Sequence, residues 1–209
     1  VVIGDSISAQ GYGLVGTSYR FRNHGWWCHT LQILGWPLVV KNMAAVSGRT
    51  AQQVLAGFDS EVKPHSPSWV FGIIGQNNLG DVDGGAAAIA AINGIVAECR
   101  GIGATPVFGT VTPRTTVGMT ALVKGNLFNI NRAIRALGRS GEAIVFDSCA
   151  AMTDATSVDG AAKSTLLIDD LHPNAEGSSA IGRVAALVLA GKLPVNDTAP
   201  TSNADTRQI

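Results

Sequence analysis

Short apolar runs alternate along the chain with longer stretches whose apolar residues recur at helical spacing. VVI at residues 1–3 runs straight into Gly4-Asp5-Ser6, and LVV at Leu38–Val40 is bounded by Pro37 and Asn42. WVFGIIG at Trp69–Gly75, TPVFGTV at Thr105–Val111 and AIVFD at Ala143–Asp147 complete the set. Uninterrupted apolar runs of this kind predict strands buried on both faces. Helices are predicted between them: over Thr17–Leu34, just after Arg49, and over Ala86–Arg100, Ala121–Leu137 and Glu176–Ala190. Gly101, Gly138 and Gly191 stand at or near the predicted ends, where glycine stops a helix.

Strand–helix alternation implies a parallel sheet with helices on both faces. Ligands of such sheets bind at the carboxyl ends of the strands, which is where Ser6 falls. From Leu193 onward the pattern is lost. LPVNDTAPTSNADTRQI is rich in Pro, Thr, Asn, Asp and Ser and reads as a tail or linker, so one domain is expected over 1–192, followed by 193–209. Residue 1 already lies in a core strand, so no leader peptide is read there, and residues ahead of Val1 are expected in the parent chain.

Composition narrows the partners. The 209 residues suit one domain with a full core. Lys+Arg and Asp+Glu both total 15, with no basic stripe, which argues against nucleic acid and membrane-surface binding. No apolar run is long enough to span a bilayer. Three cysteines, Cys28, Cys99 and Cys149, cannot form a closed disulfide set; buried thiols are favoured, and one disulfide plus one free thiol stays open. Low Lys and Glu content leans toward an extracellular protein.

A serine on a tight turn at a strand end raises a chemical question. Its hydroxyl needs an adjacent base, and the base needs a third group to orient it. Asp169-Asp170-Leu171-His172-Pro173 sets a carboxylate three residues before an imidazole, just ahead of a helix. That spacing lets Asp169 fold back onto one ring nitrogen while the other faces a substrate; the plainer reading is a helix entry capped by Asp170 or Asn174. Ser47-Gly48-Arg49-Thr50 and Gly75-Gln76-Asn77-Asn78, at two further strand ends, offer a close-approaching backbone N–H and a neutral side-chain amide for a developing oxyanion. Each alone is an ordinary turn.

Together, in this order from residue 4 to residue 173, the four blocks resemble those of the SGNH hydrolases, or GDSL esterase/lipase family. The resemblance implies a flavodoxin-like three-layer α/β/α sandwich on a five-stranded parallel sheet. It implies Ser6 as nucleophile, His172 as general base and then acid, and Asp169 as its orienting carboxylate. It implies an oxyanion hole from the Ser6 and Gly48 N–H groups and the Asn77 amide, with Asp5 as a supporting turn residue. No metal or organic cofactor is implied. Asn78 stands where the family usually has Asp, a position expected to support loop geometry, and the segment Gly11–Trp36 is long for the family. The expected activity is serine esterase on short acyl esters, foremost a carbohydrate O-acetylesterase within a larger chain. No amphipathic apolar stretch reads as a lid, which disfavours a long-chain lipase. The alternatives are a lipase or lysophospholipase, a thioesterase, an acyltransferase, or a catalytically silent glycan-binding module.

Other patterns invite other chemistry. Gly11-Tyr12-Gly13-Leu14-Val15-Gly16 matches GxGxxG, but seven residues separate it from the strand and no acid stands near Trp36, so it is read as a loop. His24, Cys28 and His29 lack a fourth metal ligand and are read as structural. Trp26 and Trp27 are expected in the core, with an exposed sugar or acyl platform as the minority reading. His65 is expected in a surface loop.

Overall fold

Five short strands form because their apolar runs find cover on both sides. The computed structural model describes residues 1–9 and 25–193. The GxGxxG match, His24, the front of the expected Thr17–Leu34 helix and the tail after Leu193 lie outside them. The elements run β1 (Val2–Gly4), α1 (Ser6–Ala9), α2 (Trp26–Ile33), β2 (Met43–Ala45), α3 (Ala51–Ala56), α4 (Phe58–Glu61), β3 (Trp69–Ile73), α5 (Ala86–Gly101), β4 (Thr105–Gly109), α6 (Ala121–Arg139), β5 (Ile144–Phe146), α7 (Ser148–Met152) and α8 (Ala175–Leu189). The sheet is parallel throughout, in the order β2-β1-β3-β4-β5.

Side chains alternate across the pleat. Ile3, Val70 and Phe108 join a core with α3, α4, α5 and α6, whereas Val2, Phe71, Ile73, Val107 and Phe146 join one with α2, α7 and α8. Two apolar layers therefore sandwich the sheet, which is the expected three-layer architecture. No helix among the described residues is long and apolar enough to cross a membrane.

One strand is displaced from its expected place. Leu38–Val40 is irregular, with Val39 largely exposed, and the second strand is Met43–Ala45. Register explains the shift: Val2, Ile3 and Gly4 pair with Met43, Ala44 and Ala45. The Asn42 carbonyl takes the Val2 N–H at 3.1 Å, just ahead of the pairing.

The register matters for the site. Gly4 pairs with Ala45 on one side and Ile73 on the other, Ile73 with Gly109, and Gly109 with Phe146. All five strands end level, so the loops that follow open onto one rim.

Candidate active site

Ser6 reaches this rim on a turn that its neighbours dictate. Gly4 has φ +129°, and a Cβ there would lie 2.5 Å from the Ile73 carbonyl oxygen and 2.9 Å from Ser8 Oγ. Only glycine lets β1 turn so close to β3. Asp5 then organises the next turn: its Oδ1 accepts the Ile7 N–H at 3.0 Å and its carbonyl accepts those of Ser8 and Ala9. Ser6 is thus the first residue of a one-turn helix. Trp27 Nε1 donates to the Ser8 carbonyl at 3.2 Å, and Trp26 Nε1 to Ser8 Oγ at 3.4 Å, tying that helix to α2. Both tryptophans are buried, which overturns the exposed-platform reading.

The partner loop closes on itself. Ile168 N–H donates to the His172 carbonyl at 2.8 Å, and Leu167 bridges to Pro173. Asp169 Oδ1 accepts the backbone N–H groups of Leu171 (2.8 Å) and His172 (2.7 Å). Its Oδ2 faces His172 Nδ1 at 2.8 Å, and His172 Nε2 lies 2.9 Å from Ser6 Oγ. A proton on Nδ1, held by the carboxylate, leaves Nε2 to accept from the serine hydroxyl. Burial pushes the Asp169 carboxyl up, but the His172 N–H, the imidazole and the Leu171 N–H outweigh it and hold the group below its ordinary value. Asn174, not Asp170, caps α8, accepting the Gly177 N–H at 3.0 Å. Asp170 instead turns to Thr115: Thr115 Oγ1 donates to its carboxylate at 2.8 Å and Thr115 N–H to its carbonyl at 3.0 Å.

Gly48 and Asn77 lie on loops after β2 and β3, the two strands flanking β1. Gly48 is exposed with φ +80°, a left-handed conformation that favours glycine. Neither the Ser6 nor the Gly48 N–H donates to another described residue. Arg49 pins the Gly48 loop through a bidentate pair with Glu61, at 2.5 and 2.7 Å. Asn77 Nδ2 donates to the Arg49 carbonyl at 2.9 Å, leaving its second N–H for another acceptor. Buried Asn78 accepts the Ala51 N–H at 2.9 Å and donates to Gln52 and Asp81, so an amide here does fasten the loop to α3.

Beneath Ser6 the Asp5 carboxyl is 1% exposed. Burial pushes its pKa up to about 7, against the backbone N–H groups of Ile7 and Gln76 and the charge of His172. Cavities of about 210 Å³ beside Val1, Leu31 and Trp69 and of about 620 Å³ beside Arg139 and Lys192 include neither Ser6 nor His172 in their walls. Bonds that join separate loops, Thr115–Asp170 and Trp26–Ser8 among them, left no local mark in the sequence.

A serine, an imidazole and a carboxylate thus stand in hydrogen-bonded line on the C-terminal rim of a parallel α/β/α sheet. Residues 2–180 match the model of the GDSL-like lipase/acylhydrolase family, and the chain belongs to that family. It is an ester-hydrolysing enzyme. Among solved structures it resembles a protein described as lipolytic, of the G-D-S-L family, from Desulfitobacterium hafniense (22% identity, TM-score 0.69, covering 90% of this chain and 97% of that one). It resembles a protein described as an acylhydrolase from Bacteroides fragilis (16%, 0.71, 92% and 86%). It also resembles the acetylxylan esterase Axe2 from Geobacillus stearothermophilus (18%, 0.68, 90% and 92%). At these identities the likeness is one of fold. No curated protein sequence matches the chain significantly.

Proposed function

We propose that this acylhydrolase is a serine esterase for short acyl esters, and that its substrates are O-acetylated carbohydrates. The observation that carries the mechanism is the unbroken line Ser6 Oγ–His172 Nε2–His172 Nδ1–Asp169 Oδ2, at 2.9 and 2.8 Å. His172 takes the hydroxyl proton as Ser6 Oγ bonds to the acyl carbon. The carbonyl oxygen becomes an oxyanion, received by the Ser6 and Gly48 N–H groups and the free Asn77 N–H. Collapse breaks the bond to the alcohol oxygen, which leaves with the proton from His172. Water, deprotonated by the same imidazole, then attacks the acyl-enzyme; carboxylate and free Ser6 are regenerated.

Support for the acetyl-sugar substrate is the fold shared with acetylxylan esterase. Serine-to-alanine and aspartate-to-alanine variants of that enzyme are described as catalytic mutants. The test is hydrolysis of p-nitrophenyl acetate, butyrate and octanoate, then of acetylated xylo-oligosaccharides. Rates falling with chain length and acetate released from the sugar fit the proposal. A preference for octanoate moves the substrate to lipids or long acyl thioesters.

A further inference from the structure

Arg114 lies on the loop after β4, which bonds to the loops carrying Asn77 and His172. Its Nη2 donates to the carbonyl of Gln76, the residue before Asn77, at 3.3 Å. Its chain neighbour Thr115 binds Asp170, the residue after Asp169. The Arg114 carbonyl accepts the Ala162 N–H at 2.7 Å, and its stem lies against Gly118, where a Cβ would come 3.0 Å from Arg114 Cβ. The guanidinium is therefore held in place.

Among the described residues it also has no ion-pair partner. Among the described ions Arg49 pairs with Glu61, Lys124 with Asp159, Arg135 with Asp147 and Asp169 with His172, while the buried Asp5 carboxyl, which takes the Gln76 N–H, forms no ion pair with Arg114. Asp170 is taken by Thr115 and Asp81 by Asn78. Lys163, also without an ion pair, is an exposed side chain. Arg114 is partly buried, its Nε is buried without a hydrogen-bond partner, and its Nη1 bonds to no described residue. Leaving a fixed, half-buried guanidinium uncompensated is costly unless a ligand completes it. Its planar fork suits a carboxylate, which it binds through two parallel N–H donors.

We infer that Arg114 recognises a carboxylate on the alcohol portion of the substrate, and that the preferred substrates are acetyl esters of acidic, uronate-type sugars. This rests on the esterase reading and names its substrate class. An acetyl group bears no carboxylate, so on an acetyl ester the sugar carries it.

The experiment compares mono-O-acetylated methyl galactosiduronate with mono-O-acetylated methyl galactoside, a pair differing only at the sugar's C6 carbon, on the native enzyme, Arg114→Gln and Arg114→Lys. The native enzyme is expected to favour the acidic ester in kcat/KM by about tenfold or more, the scale of a charge-assisted pair. The preference shrinks as salt is raised. In Arg114→Gln the ratio falls to near one, through KM for the acidic ester, and Arg114→Lys keeps part of it. No native preference, or an equal loss on both esters in Arg114→Gln, overturns the inference. If Arg114→Gln does not fold, the native preference and Arg114→Lys decide. Failure of the esterase reading looks different: neither sugar ester nor p-nitrophenyl acetate is then hydrolysed faster by the native enzyme than by Ser6→Ala.

Discussion

The Asn77 side-chain amide donates to the Arg49 carbonyl at 2.9 Å, joining the loops on either side of the Ser6 turn. The bond orients the amide and leaves one N–H without an acceptor among the described residues. If that N–H meets the oxyanion, Asn77→Ala lowers kcat on p-nitrophenyl acetate by about 10²–10³, with little change in KM. Asn77→Asp loses the donor and adds a charge of the wrong sign, so its loss is at least as large. Steady-state kinetics on both variants check this.

Asp169 holds two backbone N–H groups with one oxygen and His172 Nδ1 with the other. Asp169→Asn can keep the backbone bonds but then presents an NH₂ to Nδ1, which favours the tautomer with its proton facing Ser6. The expected fall in kcat is about 10⁴. Native Asp169 ionises below the ordinary carboxylate range, so the carboxylate that holds His172 Nδ1 stays charged down to acidic pH.

Ser8 Oγ receives the Trp26 indole N–H at 3.4 Å and the Ile73 backbone N–H at 3.2 Å in a buried site. Ser8→Ala leaves both donors without that acceptor, a cost of about 1–3 kcal/mol. At about 2–4 °C per kcal/mol for a chain of this size, Tm should drop by several degrees. Calorimetry reads the shift; an unchanged Tm would mean that the two N–H groups find other partners.

Asp5 gives stability a pH dependence of unusual sign for a carboxyl. Its folded pKa of about 7 lies above the ordinary 3.8, so the folded state binds more protons than the unfolded chain between those values. Stability contributed by this group is therefore lost as pH rises through that window. Asp5→Asn removes the slope. Its Tm relative to native should be higher at pH 8 and converge toward pH 4, as read by thermal melts across that range.

The long helices α5, α6 and α8 and the strands β3 and β4 fall where their apolar patterns place them, because long periods and buried runs have few other readings. Met43-Ala44-Ala45 has no such mark: two alanines suit a helix as well, and only pairing with β1 makes them a strand. Ser6, Asp169 and His172 were legible because each sits in a short block whose local spacing has chemical meaning. Thr115 with Asp170, Arg114 with Gln76 and Trp26 with Ser8 were not, since those bonds join separate loops whose meeting is decided by the sheet order.

The central claim is that Ser6 Oγ, activated by His172, is the atom that attacks the ester. Its most direct test is intact-mass and peptide-mass measurement after treatment with diethyl p-nitrophenyl phosphate, which traps an activated serine as a stable phosphoryl adduct. One diethylphosphoryl group is predicted on the native enzyme, mapped to Ser6 and absent from Ser6→Ala. An adduct on another residue, or equal labelling of Ser6→Ala, would contradict the claim.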